Sequence, residues 1–226
     1  MQLAEVEQRG FAVLPEVFTR SEVERHDESL RRDPLSRSRA GMRHALKHPA
    51  IQFMAHDPRL QAIARGVLGC DPFPSSATLF DKPAVSNWLV VRHQDTALPR
   101  GERHEIPQLG PRCVEDGVIY GHAVANAPSG IVAPRFDLDD SGSENGPLRV
   151  LPATHRMGVL TGERIQGLST QQPVVDYRVR RDGIAVLRTL RIHASSKSRS
   201  TGPRRMLQIR SAASASVPDG PELAAA

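Results

Sequence analysis

Residues 87–95 read Asn87-Trp88-Leu89-Val90-Val91-Arg92-His93-Gln94-Asp95, an apolar run that closes on a His-x-Asp triplet. A strand alternates its side chains with a period of two, so His93 and Asp95 face one way and Gln94 the other. Asn87 shares the parity of His93. Far downstream stand His193 and then Arg204. Two histidines and one carboxylate are the ligand set that holds non-haem Fe(II) on one octahedral face, with the remaining positions open. His93, Asp95 and His193 are therefore the candidate metal ligands. With 9 histidines in the chain a lone triplet is weak evidence, and its surroundings must carry the weight.

Working outward, residues 184–192 read as one alternating strand ending on His193, with Ala185, Leu187, Thr189 and Arg191 on its face. Runs of strand-forming residues fall at 76–82, 87–93, 117–124, 130–138, 147–151, 172–179, 183–193 and 204–210, separated by Gly, Pro, Asp and Ser clusters. Helix signals come earlier. Thr19-Arg20-Ser21-Glu22 has capping-box spacing ahead of Val23 to Arg32. Asp57-Pro58 opens a helical stripe of Leu60, Ile63, Ala64, Val67 and Leu68, which Gly69 closes. Short strands behind a helical prefix predict a mainly β fold with flanking helices, a jelly roll packed on amino-terminal helices. Residues 96–116 contain three prolines and little periodicity, which predicts a lid over the metal. Residues 211–226 are expected to be a disordered tail, leaving 1–210 as a single domain.

A chain of 226 residues suits one sizeable core. Cys70 and Cys113 make neither a disulfide framework nor a CxxC site and read as reduced thiols. The polar amino terminus is no signal peptide, and no apolar run approaches the ~20 residues of a membrane span. A soluble, cytoplasmic protein without a membrane partner is expected, monomeric or a small homo-oligomer. The net charge of +5 is not accompanied by a basic-aromatic motif, so no nucleic acid is expected as partner. Arg178 to Arg181 and Lys197 to Arg205 read mainly as solvated surface, with a funnel for an anionic small-molecule substrate as the other reading.

Three stretches, in order, resemble the phytanoyl-CoA dioxygenase family. They are Thr78-Leu79-Phe80-Asp81-Lys82 with residues 87–95, then Arg135 to Asp140 with Glu144 to Arg156, then His193-Ala194-Ser195-Ser196 with Arg204-Arg205. The resemblance runs from about residue 10 to 210. It implies a double-stranded β-helix holding Fe(II) on His93, Asp95 and His193, with 2-oxoglutarate and O2 as co-substrates. The implied reaction is oxidation, by default hydroxylation, of an unactivated C–H; the short single-domain chain and its polar candidate pocket point to a small metabolite or natural-product intermediate as substrate. Asp95 stands where halogenating relatives carry a small residue, which argues against halogenation. Arg204, eleven residues after His193, lies where the family keeps the arginine for the distal carboxylate of 2-oxoglutarate. A guanidinium suits that task because it grips a carboxylate through two N–H groups. By parity Arg205 points the other way. Ser195, Asn87 and Lys82 are further co-substrate candidates, and Arg135 and Trp88 are substrate-side candidates. Arg135, Asp137 and Asp139 share one face and alternate with Phe136 and Leu138; either set can face inward. His104, His122 and His155 read as ordinary histidines. The alternative to an enzyme is a non-catalytic jelly roll that binds 2-oxoglutarate or another ligand as a sensor.

Overall fold

The computed structural model describes residues 2–32, 41–82, 89–100, 112–115, 118–122, 127–200, 202 and 204–214. The first part of the chain carries α1 (Gln2–Arg9), β1 (Phe11–Leu14), α2 (Arg20–Arg32), β2 (Gly41–Met42), α3 (Pro49–Ala55) and α4 (Pro58–Leu68). Strands β3 (Phe73–Lys82), β4 (Val90–His93), β5 (Ala97–Arg100), β6 (Arg112–Glu115), β7 (Val118–His122), β8 (Ile131–Asp137) and β9 (Leu148–Val150) follow. The remainder holds α5 (Gly162–Gln171), β10 (Val175–Tyr177), β11 (Ile184–Arg188), β12 (His193–Ser195) and β13 (Arg204–Ala212).

Local chemistry explains the helix ends. Glu22 N–H donates to Thr19 Oγ1 at 3.3 Å and Thr19 N–H donates to Glu22 Oε2 at 2.7 Å, a reciprocal capping box. At α4, Asp57 Oδ1 accepts from Arg59 N–H at 2.9 Å, Pro58 fills the first turn, and Gly69 ends the helix at φ 73°. Helices α3 and α5 are findings beyond the sequence reading. In α5 only Ile165 and Leu168 are buried, too thin a stripe to be read as amphipathic in a segment with two glycines.

The strands form a six-stranded sheet of order β1-β11-β8-β13-β3-β2, a four-stranded sheet β10-β9-β12-β4, and a three-stranded sheet β5-β7-β6. Period-two alternation assigns the two faces of the large sheet. Ala77, Leu79, Val132, Phe136, Ile184, Val186, Leu207 and Ile209 pack with Val23, Leu30, Ile51, Met54, Leu60 and Ile63 of the helices. Ala133, Ala185 and Leu187 face the other way and pack with Leu148, Val150 and Tyr177 of the four-stranded sheet. The space between the two sheets is the barrel interior, as expected for a jelly roll on helices.

Three boundaries differ from expectation. The run 184–193 is not one strand: β11 stops at Arg188, Thr189 and Leu190 turn, and β12 begins at His193 in the opposite sheet. The turn carries the chain from one sheet to the other, and no Gly or Pro in 184–193 marks it in the sequence. The 96–116 segment is not wholly irregular, because β5 and β6 within it pair with β7. Leu98 is buried with Phe73, Ile131 and Ala212, and Arg210 Nη1 donates to Ala97 O at 2.8 Å, so the start of that segment belongs to the scaffold. Residues 101–111 lie outside the described residues. Ser211 and Ala212, expected in the tail, are buried members of β13; residues 215–226 lie outside the described residues.

Candidate metal centre

Strands β12 and β4 pair antiparallel with His193 directly opposite His93, so the two rings come within 4.3 Å of each other. Strand β4 ends at His93, and Asp95 follows as its N–H donates to Thr189 O at 3.1 Å. Gln94 determines how the chain leaves the strand. Its side chain is buried on the far side, where Nε2 donates to Leu190 O at 2.6 Å and Gly158 O at 2.9 Å. Its Oε1 accepts from Leu160 N–H at 2.8 Å. With Gln94 tied outward at three points, His93 and Asp95 both turn inward, as the alternation predicted.

Asp95 Oδ1 lies 3.6 Å from His93 Nε2 and 3.8 Å from His193 Nε2. The three ligand atoms all lie within 4.8 Å of one another, the one such group among the described residues. Each imidazole has its other nitrogen committed: His93 Nδ1 donates to Val91 O at 2.8 Å and His193 Nδ1 to Arg191 O at 2.9 Å. A carbonyl can only accept, so the proton sits on Nδ1 and the Nε2 lone pair of each ring faces the shared space. That donor set fits a divalent metal of the iron type. Burial pushes His193 down to about 3, keeping its ring neutral. Burial pulls His93 the same way, but the Asp95 carboxylate outweighs it and holds that ring above its ordinary value. Burial alone would raise the Asp95 carboxyl; Arg210 and the two imidazoles hold it well below the usual range, so it is ionised.

The other oxygen of Asp95 has its own partners. Arg210 Nη2 is 3.1 Å from Oδ2, and Gln208 Nε2 donates to it at 3.4 Å. Both come from β13, which presents Arg204, Met206, Gln208 and Arg210 to one cavity of about 230 Å³ together with His93, Asp95 and His193. Met206, Gln208 and Arg210 were not singled out from sequence, although counting in twos from Arg204 finds all three.

Arg204 is 1% exposed in this cavity; Nη1 donates to Gly146 O and, at 3.2 Å, to Ser195 Oγ. Burial and neighbouring Arg135 push Arg204 down to about 9, partly offset by Asp137. Arg205 faces outward, as parity required, and is ion-paired to Asp139 at 2.8 Å and to Asp27 of α2 at 2.5 Å. Ser195 is buried and also donates to Gly146 O at 3.0 Å. In β8 the polar set faces inward: Arg135 lines the cavity and Asp137 is buried, while Phe136 joins the helix-side core. Asp139, past the strand end, departs from that set and meets Arg205. Lys82 pairs with Arg204 in register on β3, but its side chain, Asn87 and Trp88 lie outside the described residues. His155 is away from the centre, with Nε2 bonded to Glu7 O at 3.0 Å. His104 and the His122 side chain lie outside the described residues.

No match was found among curated proteins. Several solved structures share the fold. EctD from S. alaskensis in its apoform superposes with a TM-score of 0.72 at 20% identity, over 94% of this chain and 76% of that one. The epimerase SnoN, solved in complex with Fe3+, alpha ketoglutarate and nogalamycin RO, gives 0.71 at 17% identity over 97% and 86%. HygX from Streptomyces hygroscopicus, solved with iron bound, gives 0.67 at 22% identity over 93% and 85%. At such identities the likeness is one of fold. Family membership rests on sequence: residues 6–206 match the phytanoyl-CoA dioxygenase (PhyH) family, and the chain belongs to it.

Proposed function

We propose that this protein is an Fe(II)- and 2-oxoglutarate-dependent dioxygenase that oxidises an unactivated C–H bond of a small metabolite or natural-product intermediate, by hydroxylation. The observation that carries the reading is the convergence of two Nε2 lone pairs and an ionised Asp95 oxygen beside a buried, inward-facing Arg204. His93, Asp95 and His193 would hold the iron, and Arg204 with Ser195 would take the distal carboxylate of 2-oxoglutarate. Bound iron would supply O2 activation coupled to decarboxylation of 2-oxoglutarate to succinate and CO2.

The chain's own groups do the positioning. Nδ1–H bonds to backbone fix both imidazole tautomers, and Arg210 with Gln208 orients the Asp95 carboxylate. Phe80, Val90 and Leu148 give the cavity an apolar wall beside the centre. A cavity of about 230 Å³ favours a small substrate over a long acyl chain. Asp95 supplies a carboxylate where halogenation would need an open site, which favours oxygen transfer.

The deciding measurement is succinate formation from 2-oxoglutarate with Fe(II) and ascorbate, with and without a metabolite extract. Slow turnover alone, stimulated by the extract, is the expected result. Tight 2-oxoglutarate binding with no succinate under any condition would instead identify a sensor.

A further inference from the structure

Apart from Arg210, which is ion-paired to Asp95, two buried guanidiniums line the barrel interior without an ion pair among the described residues. Arg135 on β8 and Arg204 on β13 are 5% and 1% exposed and line the same cavity. They converge on one atom: Arg135 Nη2 contacts Met206 Sδ, and Arg204 Nη2 lies 3.9 Å from that sulfur. A thioether is a weak acceptor and neutralises neither charge. Among the described residues, the Nε of each arginine has no hydrogen-bond partner.

The carboxylates at hand do not resolve this. Asp137 shares the inward face of β8, yet among the described residues neither of its oxygens accepts a hydrogen bond. Burial drives its carboxyl up to about 6, the sign of a poorly compensated counter-ion. Asp95 is already committed to Arg210 and Gln208. Two buried cations side by side are costly unless an anion joins them.

We infer that Arg135 is a second guanidinium for the distal carboxylate of 2-oxoglutarate, shared with Arg204 across Met206, and not a contact to the primary substrate. The inference rests on the co-substrate reading above and reassigns Arg135 within it. A carboxylate offers two oxygens and about four lone-pair directions, enough to accept N–H groups from both arginines. The pocket would then discriminate steeply between a dianionic keto acid and one lacking the terminal carboxylate, because without it the two cations have only Asp137 nearby, which hydrogen-bonds to neither.

The test is anaerobic calorimetric titration of the Fe(II)-loaded protein with 2-oxoglutarate and with 2-oxopentanoate, which keeps the chelating end and lacks the distal carboxylate. Arg135→Gln should weaken 2-oxoglutarate by about 30-fold or more, the loss for truncating one partner of a buried charge pair. Binding of 2-oxopentanoate should stay within about twofold, since that ligand never engages the clamp. Arg135→Met, which removes a buried uncompensated charge, guards against a misfolded variant: it should melt above the wild type without ligand and gain less from 2-oxoglutarate. Unchanged 2-oxoglutarate affinity in either folded variant overturns the inference, as does an equal loss for both keto acids. A wild-type protein that binds neither keto acid overturns the co-substrate reading itself.

Discussion

The two oxygens of Asp95 meet different neighbours, Oδ1 the two imidazoles and Oδ2 the Arg210–Gln208 pair. A ligand carboxylate held by such partners is pre-oriented, and loss of a partner of this kind typically costs 10–100-fold in metal affinity. Arg210→Ala should therefore weaken Fe(II) binding by about that factor in a folded protein, read by competition with a chelator. Wild-type affinity in the variant would remove Arg210 from the centre. Asp137 makes a pH prediction of opposite sign to the usual carboxylate. Its pKa rises from 3.8 to about 6 on folding, so the folded state is the better proton binder between those values. Stability from this group is present at low pH and is lost as pH rises through that window, roughly 3 kcal/mol for two units. Asp137→Asn should thus be more stable than wild type by about 2–3 kcal/mol near pH 8, the gap closing towards about pH 4. Urea unfolding at several pH values checks it. At this scale the sequence was legible where parity applied: counting in twos puts His93 and Asp95 on one face and turns Arg205 away from Arg204, while the choice of Arg204 itself rests on the family resemblance. Arg210 and Gln208 obeyed the same count but are remote in sequence from Asp95, and only pairing of strands makes them neighbours.

At the scale of elements, a turn with a close backbone approach helps set how the strands meet. Gly146, between the Asp140 corner and β9, has φ 68°, and a Cβ there would sit 2.4 Å from Ser196 O. Its carbonyl accepts from both Ser195 and Arg204. Gly146→Ala is expected to cost about 1–3 kcal/mol of stability through strain in the left-handed region. It should also weaken 2-oxoglutarate binding, because the backbone rest for Arg204 shifts. Unfolding by urea and calorimetry read the two effects separately; a variant with neither defect would make the turn dispensable. Capped helices such as α2 and α4 could be read in advance because their chemistry is local. The turn at Thr189–Leu190 could not, since Ile184 to Ile192 holds no Gly or Pro to mark a break and only the division between two sheets makes one. Likewise β5 and β6 are short, with Pro99 inside the first and Pro111 before the second, and their pairing partner β7 supplies the order that their own pattern lacks.

At the level of the whole molecule, the large sheet serves two masters. One face packs on the helices through Phe136, Leu207 and their neighbours; the other presents Arg135, Arg204 and Gln208 to the site. Jelly-roll architecture was legible from strand spacing behind a helical prefix, whereas the strand order was not, because it depends on pairings between distant segments. That order places β13 between β8 and β3, in the middle of the sheet, although it is the last strand among the described residues. During synthesis, then, β1-β11-β8 and β3-β2 must wait as separate ribbons with open edges until the ribosome has delivered Arg204 to Ala212. A fragment ending before Arg204 should show no cooperative melting, and a cooperatively folded fragment would mean that the halves close without it. The same strand carries Arg204, proposed above to take the co-substrate carboxylate, and the Arg210 and Gln208 partners of Asp95. A nascent chain therefore holds all three candidate metal ligands before it gains the side chains that orient Asp95, and until then its ribbons keep open edges.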